Sequence, residues 1–149
     1  METKKSWKSF RYQTHAVWKQ ARRIKASSAG KPDLEMSSPP EFKGEQGIWT
    51  PEDLFVTALN ICIMETFLAF AEQKGLGLGT YASSADALLE YKDGKYHFTE
   101  ITVHPQIAVK SQDDVERARQ IMESAHANCF VSNSITSSVS VLPEFRVAS

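Results

Sequence analysis

The most unusual pattern of hydrophobic and polar positions lies between Leu54 and Ala71, where apolar residues fall on nearly every side of a predicted helix. The few polar interruptions are Thr57, Asn60, Glu65 and Thr66. A helix that is apolar on all sides is either a membrane span or the centre of a core. The mid-span polar residues, and fewer than about 20 uninterrupted apolar residues, favour the core. A chain of 149 residues can hardly surround such a helix alone, which suggests an obligate dimer.

Both ends of this helix carry recognisable signals. The start offers an N-cap residue, a first-turn proline and two acidic side chains, at Thr50, Pro51, Glu52 and Asp53. The glycines that follow Lys74 predict a C-terminus near that residue. The preceding segment, 37–50, contains Pro39-Pro40, Gly44 and Gly47, so we interpret it as a loop whose length suggests a functional role.

The remaining patterns alternate between strand and helix. Residues 10–36 predict one or two opening hairpins, and residues 81–109 predict two long strands joined at Asp93-Gly94. A second helix is expected from a cap at Ser111, with Asp114 completing a capping box, to about Cys129. One terminal strand follows in "SSVSVLPEF". This order predicts a single α+β domain over residues 1–149, in which residues 1–9 form a flexible or peripheral arm.

Composition narrows the possible functions. The formal charge is −1, and the short basic cluster Lys19 to Lys25 is expected to be a solvated strand face, with nucleic-acid binding a distant second. No apolar segment typical of a signal peptide follows "METKKSWKSF", so we expect a cytoplasmic protein. In that reducing compartment the two cysteines are not expected to form a permanent structural disulfide.

Three stretches of the chain resemble a known family. They are "PPEFKGEQGIWTPEDLF", with Cys62 ten residues after Glu52, then "FTEITVHPQIAV", and "AHANCFVSNSI" around Cys129. Over roughly Trp18 to Leu142 the chain resembles the OsmC/Ohr proteins, the osmotically inducible and organic hydroperoxide resistance family of bacterial thiol peroxidases. The resemblance implies an OsmC-like α+β fold with antiparallel sheets around a long buried central helix, in an intertwined homodimer with active sites at the subunit interface.

The resemblance also assigns roles. It implies that Cys62 attacks an organic hydroperoxide, that Cys129 resolves the product, and that an external dithiol, typically on a lipoylated protein, recycles the enzyme. Neither a metal nor an organic cofactor is implied, and the expected physiological context is an antioxidant stress response. This chemistry needs a thiolate, and therefore a cationic or hydrogen-bonding neighbour that lowers the thiol pKa below its free value of about 8.5. A second thiol then traps the sulfenic acid before further oxidation.

Each candidate residue has an alternative interpretation. Without its flanking motifs Cys62 would be a buried core thiol, and Cys129 at a helix end could be structural. His126 and Cys129, with Cys62, could form part of a zinc site, although no fourth ligand is evident. The other histidines are expected on strand surfaces, at His15, His97 and His104.

The arginine that would face the thiolate has two candidates. One branch of the family places it just before the loop phenylalanine, but here Glu41 precedes Phe42. The other branch places it in the first hairpin turn, where Arg22 and Arg23 are the matches. The resemblance gives Glu52 the role of fixing that arginine, although its place on the first helical turn already explains its charge.

Two further expectations follow from helix geometry. Glu65 lies within about 60° of Cys62 on the helical wheel, where a carboxylate would disfavour a thiolate. Glu52 and Cys62 are ten residues apart, hence about 15 Å along the helix axis. They cannot share a site within one subunit, so Glu52 is expected to serve the partner's Cys62 across an antiparallel pair of helices.

Two classes of function therefore remain open. The first is a two-cysteine peroxidase that prefers organic hydroperoxides, because Phe55, Ile63 and Phe67 would line an apolar pocket around the thiol. The second is a non-catalytic OsmC-like dimer that binds a small apolar ligand or acts as a thiol redox sensor.

Overall fold

The computed structural model describes residues 7–149, which form two compact units, the first ending at Glu52 and the second comprising Asp53–Ser149. The expected arm at residues 1–9 lies mostly outside the described residues. The first unit contains strands β1 (His15–Gln20), β2 (Arg23–Ser27) and β3 (Leu34–Met36), a short 3-10 turn at Pro40–Phe42 and the start of helix α1 (Pro51–Gln73). The second contains the rest of α1, β4 (Leu78–Lys92), β5 (Lys95–Val109), α2 (Asp113–Asn128), a 3-10 turn at Ser132–Ser134, β6 (Ser138–Val141) and β7 (Glu144–Val147). The fold is α+β.

The first unit is an antiparallel sheet in the order β1-β2-β3. A two-residue turn, Ala21 and Arg22, joins β1 to β2, as Gln20 pairs with Arg23. All six side chains of β1 are exposed. The loop after β3 returns to it through a hydrogen bond from the Ser37 amide to the Trp49 carbonyl, at 3.0 Å. The predicted opening hairpins and loop thus match the structure.

The second unit is built on the long hairpin of β4 and β5. Its turn is Asp93-Gly94, with φ angles of 54° and 81°, which are typical of the turn chemistry that the sequence predicted. Both β6 and β7 pair with β5 in parallel. The expected antiparallel pairing is present in β1–β3 and between β4 and β5, but this sheet is mixed. The expectation of one terminal strand is wrong, because Leu142 and Pro143 divide the terminal segment into two strands.

The core of the second unit lies where α1 and α2 pack with this sheet. One face of α1 is fully buried at i, i+4 spacing, at Leu59, Ile63, Phe67 and Ala71. The opposite face is exposed, at Ala58, Ile61, Glu65, Ala69 and Glu72. A single chain thus buries only one side of α1, rather than all sides. By length and composition α1 could also cross a membrane, a test that core helices pass as well.

Helix α2 has the predicted amphipathic character, with Ala118, Ile121, Met122 and Ala125 buried. Its N-terminus differs from the expected capping box. The helix begins at Asp113 after Gln112, which makes no side-chain cap. Ser111 instead donates its hydroxyl to the carboxylate of Asp114, at 3.0 Å. Asp114 also accepts from Arg117 at 2.7 Å, and these two donors explain why a carboxylate is buried there.

Candidate functional site

The two cysteines of the chain meet in the second unit. Cys62 lies two turns into the apolar part of α1, and Cys129 lies at the C-terminal end of α2. Both are free thiols. Cys62 packs against the core cluster that contains Cys129 and lies near enough to raise the pKa of the Cys129 thiol. Residues far apart in sequence are thus juxtaposed by the packing of the two helices.

The environments of the two thiols differ. Cys129 is 0% exposed, whereas Cys62 is partly exposed. Burial raises the pKa of the Cys129 thiol to about 11, an effect that the neighbouring Cys62 reinforces and the Ser132 amide partly offsets. That amide donates to the Cys129 sulfur at 3.5 Å. Cys129 is therefore protonated at neutral pH, and Cys62 is the thiol that solvent and small molecules can reach.

The apolar surroundings of Cys62 are not those expected. Ile63 and Phe67 are 0% exposed and belong to the closed core, so they cannot line a pocket that a substrate enters. Phe55 is partly buried and stacks on Phe98, with ring centroids 4.7 Å apart. Ile61, one residue before the thiol, is 51% exposed. The apolar surface available beside Cys62 is consequently on the uncovered side of α1.

Arg22 and Arg23 both belong to the first unit, but only Arg23 is paired. Its Nε and Nη2 donate to the two oxygens of Glu45, at 2.8 and 2.9 Å, and Nη1 approaches Glu35 at 3.4 Å. These carboxylates, Glu45 foremost, raise the pKa of Arg23 beyond its usual range, and the hydrogen bond from Arg23 lowers the pKa of Glu45. Arg22 is exposed in the turn.

Glu52 lines a cavity of about 250 Å³ within the first unit, together with residues that include Ile24, Met36 and Phe42. The Oε2 atom of Glu52 is buried and has no hydrogen-bond partner among residues 7–149. A buried carboxylate oxygen without a donor is costly. The position therefore suits a cationic donor that the described part of the chain does not supply.

Glu65 and the histidines occupy different kinds of position. Glu65 is exposed on the uncovered side of α1, and His15 is exposed as expected. His104 pairs with Asp86 at 3.1 Å on the strand surface. His97 differs from the expectation, because it is partly buried and its Nδ1 has no partner among the residues described.

Within residues 7–149 no three His, Cys, Asp or Glu side chains form a metal-binding group, so the zinc interpretation gains no support there.

Sequence reasoning missed two polar contacts. The side chains of Asn60 and Ser83 hydrogen-bond at 2.7 Å, and Asn60 also donates to the Ser83 carbonyl at 3.2 Å. This explains a polar residue within an apolar helix. Glu45, the main partner of Arg23, was also missed. The partners in the Asn60–Ser83 and Arg23–Glu45 pairs are more than twenty positions apart, so no local sequence pattern predicts either contact. The one available signal was Asn60 itself, a polar residue within an apolar run.

Comparisons with known proteins agree with this fold. The chain is similar to an OsmC-like protein of unknown function from Vibrio cholerae, with 22% identity over 91% of this chain and 100% of the other, and a TM-score of 0.84. An organic hydroperoxide resistance protein OsmC from Legionella pneumophila shares 22% identity over 93% and 98%, with a TM-score of 0.72. One from Elizabethkingia anophelis shares 19% over 95% and 99%, with a TM-score of 0.74.

No curated protein matches the chain significantly. The sequence profile of the OsmC-like proteins, however, matches residues 44–144. This match covers the second half of the loop, both helices, both cysteines and the long hairpin. The chain belongs to the OsmC-like protein family.

Proposed function

We propose that this protein is a thiol-dependent peroxidase that reduces organic hydroperoxides through Cys62 and Cys129. The observation that carries the proposal is the proximity of a partly exposed thiol to a fully buried one within one core. The family includes organic hydroperoxide resistance proteins, which supports the same class of reaction.

The difference in burial assigns the two roles. Attack on a peroxide requires a thiolate that the substrate can reach. Cys129 meets neither condition, since it is buried and its pKa is about 11. Cys62 is accessible, so it is the peroxidatic thiol. Cys129 is the resolving thiol, because its position beside Cys62 allows it to react as soon as that sulfur is oxidised.

In the first step the Cys62 thiolate attacks the outer oxygen of the hydroperoxide R–O–O–H. The O–O bond breaks, Cys62 becomes a sulfenic acid, and the alkoxide leaves and takes a proton from water to give the alcohol. The sulfur is oxidised and the peroxide is reduced. A positive charge beside the reaction would stabilise both the thiolate and the departing alkoxide.

In the second step the Cys129 sulfur displaces hydroxide from the sulfenic acid. The proton of the Cys129 thiol leaves with that hydroxide as water, and a disulfide forms. An external dithiol then reduces the disulfide by exchange and is itself oxidised. We propose a lipoylated protein as that reductant, acting in the cytoplasm, where dithiols remain reduced.

A steady-state assay with cumene hydroperoxide and dihydrolipoamide tests the proposal. We expect turnover by the wild-type protein and none by Cys62→Ser. Cys129→Ser should perform one turnover and then accumulate sulfenic or sulfinic acid on Cys62, visible by mass spectrometry. Wild-type turnover no higher than that of Cys62→Ser would exclude the enzyme and leave the alternative, a non-catalytic binder of small apolar ligands or a redox sensor.

We further propose that the active unit is a homodimer. The exposed face of α1 carries Ile61 and two alanines, Ala58 and Ala69, together with Glu65, and a second copy of the chain is present as a partner at any protein concentration. Glu52 and Cys62 are about 15 Å apart along one helix, so Glu52 would hold an arginine for the thiol of the other subunit. The buried, unpartnered Oε2 of Glu52 is consistent with a site that one chain leaves incomplete.

Complementation tests the shared site separately from the chemistry. Inactive Cys62→Ser and Glu52→Ala subunits, unfolded and refolded together, should form heterodimers that contain one intact site. Activity should then exceed that of either parent refolded alone. A mixture no more active than its parents would remove the shared-site arrangement, while leaving the peroxidase proposal to the assay above.

A further inference from the structure

The described part of the chain begins with a short segment, residues 7–12, in which large aromatic and cationic side chains alternate. Two cations of this segment, Lys8 and Arg11, are exposed. Its three rings are almost wholly exposed, namely Trp7 at 83%, Phe10 at 79% and Tyr12 at 93%. None of them contacts another ring among residues 7–149. We call residues 7–12 the aromatic segment.

The aromatic segment joins the first unit at a defined point. The Ser28 hydroxyl, just after β2, donates to the carbonyl of Gln13 at 3.1 Å. The segment ends one residue before Gln13 and belongs to no strand or helix. Its rings therefore extend from an attached point of the chain and take no part in the sheet.

Charge is distributed unevenly along the chain. Residues 3–32 contain nine lysines and arginines and no aspartate or glutamate, whereas the whole chain contains 17 basic and 18 acidic residues. The remainder is therefore net acidic. Arg23 and Lys25 pair with carboxylates. Five other cations of this region form no ion pair with residues 7–149, namely Lys8, Arg11, Lys19, Arg22 and Lys31. Such an excess of positive charge at one end of a chain indicates an anionic partner.

The combination of unpaired cations and exposed rings narrows the class of partner. Anionic lipid headgroups attract lysine and arginine, and tryptophan and tyrosine favour the interface between water and the acyl chains. A bilayer interface accepts all three rings in any orientation. A single-stranded nucleic acid would contact the same cations, but it covers a ring only where a base stacks on it. The aromatic segment therefore fits a membrane surface better than a nucleic acid.

We propose that the aromatic segment docks this protein on the surface of an anionic membrane. Lys8 and Arg11 contact the lipid headgroups, and the three rings insert at the level of those headgroups. Charge and apolar contact act together, since a single weak membrane signal gives only marginal binding. The net acidic remainder of the chain is repelled by the same lipids, so the protein binds through this end.

Binding to vesicles tests the proposal with the full chain and without peroxide, so the result does not depend on peroxidase activity. Sedimentation compares vesicles of phosphatidylcholine with and without phosphatidylserine. At a salt concentration of about 0.1 M the partition constant should be about ten-fold or more higher for the anionic vesicles, and the difference should shrink as salt is added. Equal binding to both kinds of vesicle, or binding to neither, would overturn the proposal.

Variants of the aromatic segment locate the contact. The double variant Lys8→Gln with Arg11→Gln should lower the partition constant for anionic vesicles about ten-fold or more. Phe10→Ala should lower it about five-fold or more, because less apolar surface is buried. Circular dichroism verifies that both variants remain folded.

The turn between β4 and β5 provides the matched control, because it also exposes a tyrosine and two lysines, at Tyr91, Lys92 and Lys95. Tyr91→Ala, and Lys92→Gln combined with Lys95→Gln, should each change the partition constant less than about two-fold. Losses at this turn as large as those in the aromatic segment would mean that any exposed cation or ring contributes, and the proposal would fail.

Tryptophan fluorescence tests insertion separately from charge. Vesicles that contain brominated lipids should quench Trp7, and Trp7→Phe should lose most of that quenching while it binds within about two-fold of the wild type, because a ring is retained. Unchanged quenching in Trp7→Phe would place the contact elsewhere and overturn the proposal. Binding to a single-stranded oligonucleotide, without binding to any vesicle, would likewise overturn it and identify nucleic acid as the partner.

Discussion

The two compact units of this protein differ in how deeply their apolar side chains are buried. The second unit encloses Phe67 and its neighbours at 0% exposure. In the first unit, Phe10 is 79% and Trp18 71% exposed, and only Met36, Ser37 and Thr50 are buried among the described residues. A unit with its own core can hold a buried, protonated thiol, whereas a unit with exposed aromatic groups has a surface suited to a partner. Both thiols of the proposed chemistry lie in the unit that has a closed core.

Replacing one phenylalanine by alanine in each unit should give the largest difference between the units in the free energy of unfolding. Phe67→Ala should lower the free energy of unfolding by about 3–5 kcal/mol, because it removes a large side chain from a closed core. Phe10→Ala, studied at a protein concentration at which the chain is monomeric, should change it by less than about 0.5 kcal/mol. Urea denaturation followed by circular dichroism measures both. Similar losses would show that the first unit also has a tightly packed interior.

Alkaline pH should weaken the second unit through Cys129. Its pKa is raised to about 11 in the folded state, so its stabilising contribution is complete below the unfolded value of about 8.5 and is lost as the pH rises towards 11. The loss should reach about 3 kcal/mol. Urea denaturation at pH 8, 9.5 and 11 should show it in the wild type.

Two variants isolate this effect. Cys129→Ala should remove the decline between pH 8.5 and 10. Burial also raises the pKa of Tyr81, so Tyr81→Phe serves as the control for any further decline above pH 10. An identical pH dependence in the wild type and Cys129→Ala would contradict the assignment of the decline to the buried thiol.

A charge on the exposed face of α1 should weaken self-association. Ile61 is 51% exposed in one chain. If it lies centrally in the proposed dimer interface, Ile61→Lys should raise the dissociation constant of that dimer about 30-fold or more. Ala127→Lys introduces the same charge on the exposed side of α2 and should change it less than three-fold. Analytical ultracentrifugation over a concentration series measures both constants. Equal effects of the two lysines would assign no special role to α1.

The smallest effect is expected in the loop that Arg23 holds. Glu45→Gln weakens the contact between this loop and β2, so trypsin should cleave after Lys43 about two- to five-fold faster, through more frequent local opening. Glu41→Gln makes the same change in the same loop at an exposed residue without a described ion pair. Its cleavage rate should equal that of the wild type. Faster cleavage in both variants would mean that loop charge, and not the Arg23 contact, controls opening.

The sequence predicted features that depend on neighbours along the chain. The limits of α1, the turn at Asp93-Gly94 and the apolar face of α2 follow from local signals, and the structure agrees with each. It did not predict the parallel pairing of β6 and β7 with β5, because the direction of a strand is set by the path of the chain and not by its side-chain pattern.

For the candidate site, the sequence likewise identified residues within local motifs but not the contacts between distant segments. The motifs identified Cys62 and Cys129, and the structure places them together. They did not reveal that Ile63 and Phe67 are closed off, since the wheel of an all-apolar helix does not say which face meets the sheet. Nor could they show that Arg23 is paired in the turn, because its partners Glu45 and Glu35 come from distant positions in the sequence.

The long hairpin of β4 and β5 also determines the order in which the chain can fold. Its pairs run from Lys92 and Lys95 beside the turn to Leu78 and Val109, so each new pair forms next to an existing one without closing a long loop. Strand β6 follows α2 in the chain, so it can pair with β5 only by closing a loop that contains the whole of α2. We therefore expect the hairpin to form early and the C-terminal strands to complete the sheet late. We expect Cys129, which lies between these stages in the chain, to stay accessible until α2 packs against the hairpin.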